Sequence, residues 1–215
     1  MIPSNLSTLL HDTIALITIL NPIAAASIMI SMISSATPEV IRPIAWRATL
    51  TVAIASVLTL FTGEFIFRIF GISILSIKVI GGVILMMIAI NMAYGHESKS
   101  RHSPEEHEEA EDKEDISIIP LSIPILFGPG VIATIIVLHS NNAQASHPLL
   151  SYTLVTLAIL LASASVYIVL RNAGIINRVL GVTGIKILTR IMGLVVGAIA
   201  AQFLVSGIKG LWLAA

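Results

Sequence analysis

Five long apolar stretches, each bounded by charged residues, set the pattern of this chain. They cover residues 13–38, 43–63, 79–95, 116–170 and 191–208. A helix that crosses a bilayer needs about 20 mostly apolar residues, because the hydrocarbon layer is about 30 Å thick and a helix rises about 1.5 Å per residue. Residues 116–170 carry no formal charge and are too long for one crossing. Their centre, residues 139–148, holds His139, Ser140, Asn141, Asn142, Gln144, Ser146, His147 and Pro148 and reads as a polar turn between two spans. The pattern therefore predicts an all-α membrane protein with six transmembrane helices.

Charge places those helices. Of the basic residues, Arg42, Arg47, Lys99, Arg101, Lys113, Arg171, Arg178, Lys186 and Arg190 fall on one face of the predicted topology, and only Arg68, Lys78 and Lys209 on the other. Basic loops stay on the cytoplasmic side, so the prediction is a plasma (inner) membrane protein with both termini outside. Three spans on each side of residues 96–115 make the second half enter the membrane inverted. The expected organisation is a three-helix repeat at 1–95, a charged cytoplasmic linker at 96–115 and a second three-helix repeat at 116–215. Residues 1–10 carry no Lys or Arg and the apolar run after them exceeds a signal-peptide core, so the first helix is expected to stay in the mature protein.

Composition agrees and removes alternatives. Hydrophobic residues make up 56% and charged residues 11%, against roughly 25% charged in soluble domains. Nine of the 12 acidic residues crowd into residues 97–115; outside them the chain is basic, but not to the extent that would suggest nucleic acid. The absence of cysteine removes disulfides, thiolate metal sites and cysteine nucleophiles.

The two halves carry a weak internal echo. Asn21-Pro22 followed by Ala26-Ser27-Ile28 matches Gly128-Pro129 followed by Ala133-Thr134-Ile135 at an offset of 107. Lys78 and Gly81 match Arg190 and Gly193 at an offset of 112, and Phe70-Gly71-Ile72-Ser73 matches Leu180-Gly181-Val182-Thr183. Proline cannot donate to the preceding turn and disfavours a helical residue before it, so spans 1 and 4 are predicted to break mid-membrane at Pro22 and Pro129. Asn21 and Gly128 suit N-caps of new half-helices. Pro120 and Pro124 are expected to shape the half-helix before the second break. Each half-helix would turn free N–H groups and a positive dipole end toward a central site that receives an anion without a buried Arg or Lys. The candidate substrate-binding residues are Asn21, Pro22, Ser27, Gly128, Pro129, Gly130 and Thr134; the hydroxyls of Ser27 and Thr134 either face the site or bond back to their own helix. Asn91 and Gln202, deep in spans 3 and 6, are candidates for lining the site or for interhelical hydrogen bonds.

No acidic residue falls inside a predicted span except Asp12 and Glu64 near span ends. Coupling to Na+ or H+ would then use carbonyls, hydroxyls, or Asp12 with His11; interfacial anchoring is the commoner role of such an aspartate. His96, His102 and His107 among the carboxylates of the linker read as a solvated loop more readily than as a metal site, and no metal or other cofactor is expected. Gly193, Gly197 and Ala201 form a small-residue stripe that permits close helix approach, within or between subunits of a homo-oligomer. Glu64 and Arg68 fit an i, i+4 ion pair. With no Ser/His pair, paired acids or His-x-x-x-His cluster in the spans, an intramembrane enzyme is not expected.

At Asn21-Pro22, Phe70-Gly71-Ile72-Ser73, Ile80-Gly81-Gly82, Pro120-Leu121-Ser122-Ile123-Pro124, Gly128-Pro129-Gly130, Arg190-Ile191-Met192-Gly193 and Gln202-Phe203, the chain resembles the MarC family of integral membrane proteins along essentially its whole length. The resemblance implies a fold in the lysine-exporter superfamily and secondary transport of small neutral amino acids such as glycine or alanine through paired broken helices. Lys78 stands where that family usually has Arg, Phe127 where a small residue is usual, and Ala24 and Ser27 where Gly and Pro are frequent; these departures bear on substrate size. An inorganic ion or metal permease using the histidine-bearing linker, and a non-transporting membrane scaffold, are the alternatives.

Overall fold

The computed structural model describes residues 4–33, 36–95, 116–145 and 147–214, and all of its regular elements are helical. The elements are α1 (Ser4–Leu20), α2 (Pro22–Met32), α3 (Pro38–Ile69), α4 (Ile74–Tyr94), a six-residue wide-turn segment (Leu121–Leu126), α5 (Pro129–Ala145), α6 (Pro148–Arg171) and α7 (Ala173–Ala214). The expected linker and its histidines lie outside the described residues.

Local chemistry sets the ends. Pro38 opens α3 after an extended Thr37, with Glu39 in the first turn and Arg68 in the last, each of the sign that the helix dipole favours. The Ser73 hydroxyl caps α4 by accepting from Ser76 N at 3.1 Å, and α4 closes at Gly95, where φ is 70°. The His147 ring accepts from Leu149 N at 3.3 Å and Pro148 opens α6. Inside α7 the backbone leaves helical geometry at Gly181 (φ 59°, ψ 178°), a region open only to glycine. Glu64 and Arg68 form the expected ion pair at 2.7 Å on an exposed turn.

Among the described residues, five helical stretches are long and apolar enough to cross a membrane: Asn5–Met32, Pro38–Ile69, Ile74–Tyr94, Leu149–Arg171 and Ala173–Ala214. The sixth predicted span, over residues 116–138, is a different object. Its hydrogen bonds run from Leu121 N to Ile116 O, Ile123 N to Ile118 O, Ile125 N to Pro120 O and Phe127 N to Ser122 O, an i to i+5 pattern wider than the α-helix. Pro120 and Pro124 cannot donate, and Ile123 is extended (φ −124°, ψ 120°). Helical geometry returns only at Pro129, and the 17 residues of α5 rise about 25 Å, short of a hydrocarbon layer.

The exterior is lipid-like: Ile14, Leu58, Phe65, Met87, Ile168, Leu194 and Val205 are among many large apolar side chains left exposed. Aromatic residues sit near helix ends, with Trp46 against Tyr167 at one end of the α3/α6 pair and Phe61 stacked on Tyr152 at the other. These two contacts show that α3 and α6 are antiparallel.

The tightest seam joins α4 to α7, again antiparallel. A Cβ on Gly82 would stand 2.9 Å from both Ala200 O and Leu204 N; one on Gly193 would stand 3.1 Å from Ala89 O and 3.0 Å from Ala93 N. The contact is reciprocal: residues 82, 89 and 93 relate to residues 193, 200 and 204 by one offset of 111. Other contacts also come in swapped pairs, α2 on α7 with α5 on α4, α2 on α6 with α5 on α3, and α1 on α5 with the wide-turn segment on α2. The stripe of small residues therefore packs within the chain at Gly193 and Gly197, while Ala201 is exposed and Ala200 takes its place in the seam.

Candidate functional site

The chain turns out of α1 at Asn21. Its backbone is left-handed (φ 45°, ψ 60°), a conformation in which asparagine is the best tolerated residue after glycine. Asn21 N still bonds Ile17 O at 3.0 Å, ending α1, while Asn21 O accepts from Ala25 N at 3.2 Å and its side chain faces Ala24 N at 3.5 Å, starting α2. One residue thus serves as the end of one helix and the N-cap of the next. Pro22 occupies the first turn, where a missing N–H costs nothing. The last carbonyls of α1 and the first N–H groups of α2 have no partners inside their own helices.

The second break is built from different residues. Phe127 is extended (φ −105°, ψ 91°) and Gly128 O accepts from Val131 N at 3.0 Å and Ile132 N at 3.3 Å, opening α5 at Pro129. Phe127 is buried, so it does not point to lipid. Pro129 is exposed, whereas Gly130 is buried. A Cβ on Gly130 would stand 3.0 Å from Leu85 Cδ2 and Ile88 Cδ1, and 3.9 Å from Ile19 Cγ2. Ile19 precedes Asn21 by two residues and Gly130 follows Gly128 by two, so the chain beside one turn packs against the chain beside the other although more than 100 positions separate them in sequence.

Other expected residues divide. Thr134 is fully buried, and its hydroxyl donates to Gly130 O at 2.7 Å, the back-bonding alternative. Ser27 is half-buried on α2. Asn91 and Gln202 are exposed, a correction to their expected place inside the bundle: α4 and α7 meet on the faces of Gly82 and Gly193, which turns these amides outward. Asp12 is 1% exposed and accepts from Asn142 Nδ2 on α5 at 2.7 Å, so it is packed inside the protein rather than anchored in the surroundings.

Three features had no clear sequence signal. The Ser122 hydroxyl lies within donating reach of Ser117 O and Ala48 O, tying the wide-turn segment to α3. Thr49 on α3 and Ser163 on α6 are buried hydroxyls without a hydrogen-bond partner, at about the same level of that antiparallel pair. Such groups keep unspent bonding capacity inside the protein. A Ser/His pair also exists, contrary to expectation: Ser151 Oγ lies 2.9 Å from His139 Nδ1, and His139 Nε2 lies 4.0 Å from Glu64 Oε2. The Ser151 hydroxyl, however, donates to His139 O at 2.8 Å, so His139 Nδ1 must donate to it rather than accept. That polarity is opposite to nucleophile activation, and Ser151 is fully buried. The pair ties α5 to α6.

Comparison with known proteins gives a consistent answer. Residues 6–212 match the family described as MarC family integral membrane protein. The chain is 35% identical to the UPF0056 membrane protein of Aquifex aeolicus, over 92% of this chain and 91% of that one. It is 35% identical to YhcE of Escherichia coli (93% and 91% covered) and 32% identical to YvbG of Bacillus subtilis (96% of each), both also described as UPF0056 membrane proteins. No solved structure matches. With several helices of spanning length and a match along nearly all its residues, the chain belongs to the MarC family of integral membrane proteins.

Proposed function

We propose that the protein is a secondary transporter of small neutral amino acids of the glycine and alanine class. The observation that carries this reading is the juxtaposition of the two helix breaks, at Asn21-Pro22 and Gly128-Pro129. Interrupted backbone is tolerated at membrane depth only where it is packed in protein or lines a watery cavity, and paired interruptions at corresponding positions of two repeats are how many transporters build a midplane site. In this reading residues 116–138 form the fourth of six spans, and the halves 1–95 and 116–215 are inverted repeats. The reciprocal Gly82 and Gly193 contacts and the swapped helix pairs support that symmetry. The basic-residue count favours both termini outside a plasma membrane.

The substrate carboxylate is assigned to the N-terminal ends of α2 and α5, where N–H groups and dipoles favour an anion. The ammonium group needs acceptors, which the last carbonyls of α1 and the wide-turn segment provide. Thr49 and Ser163 add unspent hydroxyls on helices that pack against α5 and α2. Alternating access follows from one half rocking on the other about the α4/α7 seam.

Purified protein in liposomes is expected to take up or exchange labelled glycine and alanine. Absence of any flux under sodium, proton or zero gradient sinks the proposal. Removing residues 96–115, with a short flexible replacement, is expected to leave that flux intact, because none of the residues assigned to the substrate lies there; loss of flux in a folded deletion protein counts against the assigned site.

A further inference from the structure

Asp12 is a carboxylate buried inside the first helix of a membrane protein, where ionisable residues are costly and mark function by default. Its side chain is 2% exposed. Asn142 Nδ2 donates to one oxygen at 2.7 Å, and His11 Nδ1, on a side chain that is 68% exposed, lies 3.4 Å from the other. An ionised carboxylate offers only acceptors, so the Asn142 amide must present its NH2 group. Both of these neighbours are nitrogens, and among the described residues no group of three or more His, Asp or Glu side chains is placed to hold a metal ion. The arrangement suits a proton, and the exposed imidazole of His11 gives it a route from the surface.

The bond also spans the fold. Asp12 lies on α1 before the first break, and Asn142 on α5 beyond the second, so it fastens the first half to the second at one end of the bundle. Other titratable groups toward that end include His139 on α5, His147 and Tyr152 at the start of α6, Glu64 and Arg68 on α3, Lys78 near the start of α4 and Lys209 near the end of α7. Glu64 is paired with Arg68 at 2.7 Å and lies 4.0 Å from His139, whose ring sits 4.1 Å from that of Tyr152. His139 is one helical turn from Asn142 and does not replace it as donor to Asp12.

We propose that Asp12 is a proton-binding carboxylate and that its bond to Asn142 is a proton-held latch between the two halves. With Asp12 protonated, the carboxyl is neutral, keeps the bond from Asn142 through its carbonyl oxygen and costs little to bury, so this end stays shut. Ionisation leaves a charge away from water that a single amide bond does not offset, and drives α1 and α5 apart so that the carboxylate is hydrated. The proposal rests on the transport reading, since it assigns protons as the coupling ion for that site.

The test uses full-length protein in liposomes with labelled glycine or alanine. Wild type is expected to exchange substrate without any gradient and to accumulate it when a proton gradient is imposed. Asp12→Asn, which is isosteric, is expected to keep exchange within about threefold while losing gradient-driven accumulation. In pH-difference infrared spectra, wild type should show a carboxylic acid C=O band that is absent from Asp12→Asn and displaced in Asn142→Ser. Accumulation by Asp12→Asn equal to wild type, accumulation by wild type indifferent to the proton gradient, or a C=O band unchanged in both variants overturns the latch. Absence of exchange in wild type instead overturns the transport reading, and the infrared band still decides whether Asp12 takes a proton.

Discussion

Gly82→Ala is expected to destabilise the protein by about 1–3 kcal/mol, the usual cost of forcing a methyl group into a closed contact. The added carbon would meet Leu204 Cγ at 2.7 Å and two backbone atoms, Ala200 O and Leu204 N, at 2.9 Å. A side-chain tip can rotate away, but backbone cannot, so α4 and α7 must separate along their length. Gly193→Ala meets Met92 Cβ at 2.8 Å, Ala93 N at 3.0 Å and Ala89 O at 3.1 Å, a little looser, and is expected to cost somewhat less. Gly197 is the control. Its new methyl group would meet only Ala89 Cβ, at 3.4 Å, an ordinary contact, so Gly197→Ala should be neutral or slightly stabilising through the better helix propensity of alanine. Thermal or denaturant unfolding in detergent should rank the three as Gly82, then Gly193, then Gly197. Equal losses at Gly82 and Gly197 would show that the seam is not the constraint.

The same seam shows how far the sequence could be read. Its apolar runs announced α3, α4 and α6, because a chain that buries no charge over about 20 residues has few other uses for them. The turn at Asn21 between α1 and α2 was equally legible, since Asn-Pro combines the non-glycine residue that best tolerates left-handed geometry with one suited to a helix start. The segment before Gly128 was not. Pro120 and Pro124 pointed to an interrupted helix, but no local rule told that some of its backbone would close i to i+5 bonds or that the Ser122 hydroxyl would reach Ser117 O and Ala48 O. The sequence echo set Gly81 against Gly193; in the structure it is Gly82, one residue over, whose contacts with α7 mirror those of Gly193 with α4. Long-range polar pairs were hidden for a simpler reason. Asp12 and Asn142 lie 130 positions apart, and at that separation the residues look like an interfacial anchor and a loop amide until the fold sets them face to face. His139 and Ser151 were hidden in the same way inside a polar turn, where hydrogen-bonding side chains are unremarkable one by one.

Substitutions at Asn21 are expected to separate the fold of the break from its function. Asn21→Gly should transport nearly as wild type, because glycine adopts φ 45° without strain and is itself an acceptable N-cap. Asn21→Val should lose at least about tenfold in glycine or alanine flux, equivalent to about 1.4 kcal/mol, because a β-branched residue resists positive φ and removes the cap. Asn21→Asp is the most discriminating of the three. Aspartate keeps the size and the capping oxygen, and its negative charge interacts favourably with the N-terminal dipole of α2. The protein should therefore unfold no more easily than wild type. Yet if the substrate carboxylate binds at that helix end, the fixed negative charge occupies the dipole and repels the incoming anion, and flux should fall at least about as far as in Asn21→Val. Stability held while transport is lost is a result that a packing defect cannot produce. Wild-type flux in Asn21→Asp would instead mean that the anionic end of the substrate is held elsewhere, and the N-terminus of α2 would keep its role in shaping the chain but not in recognising the cargo.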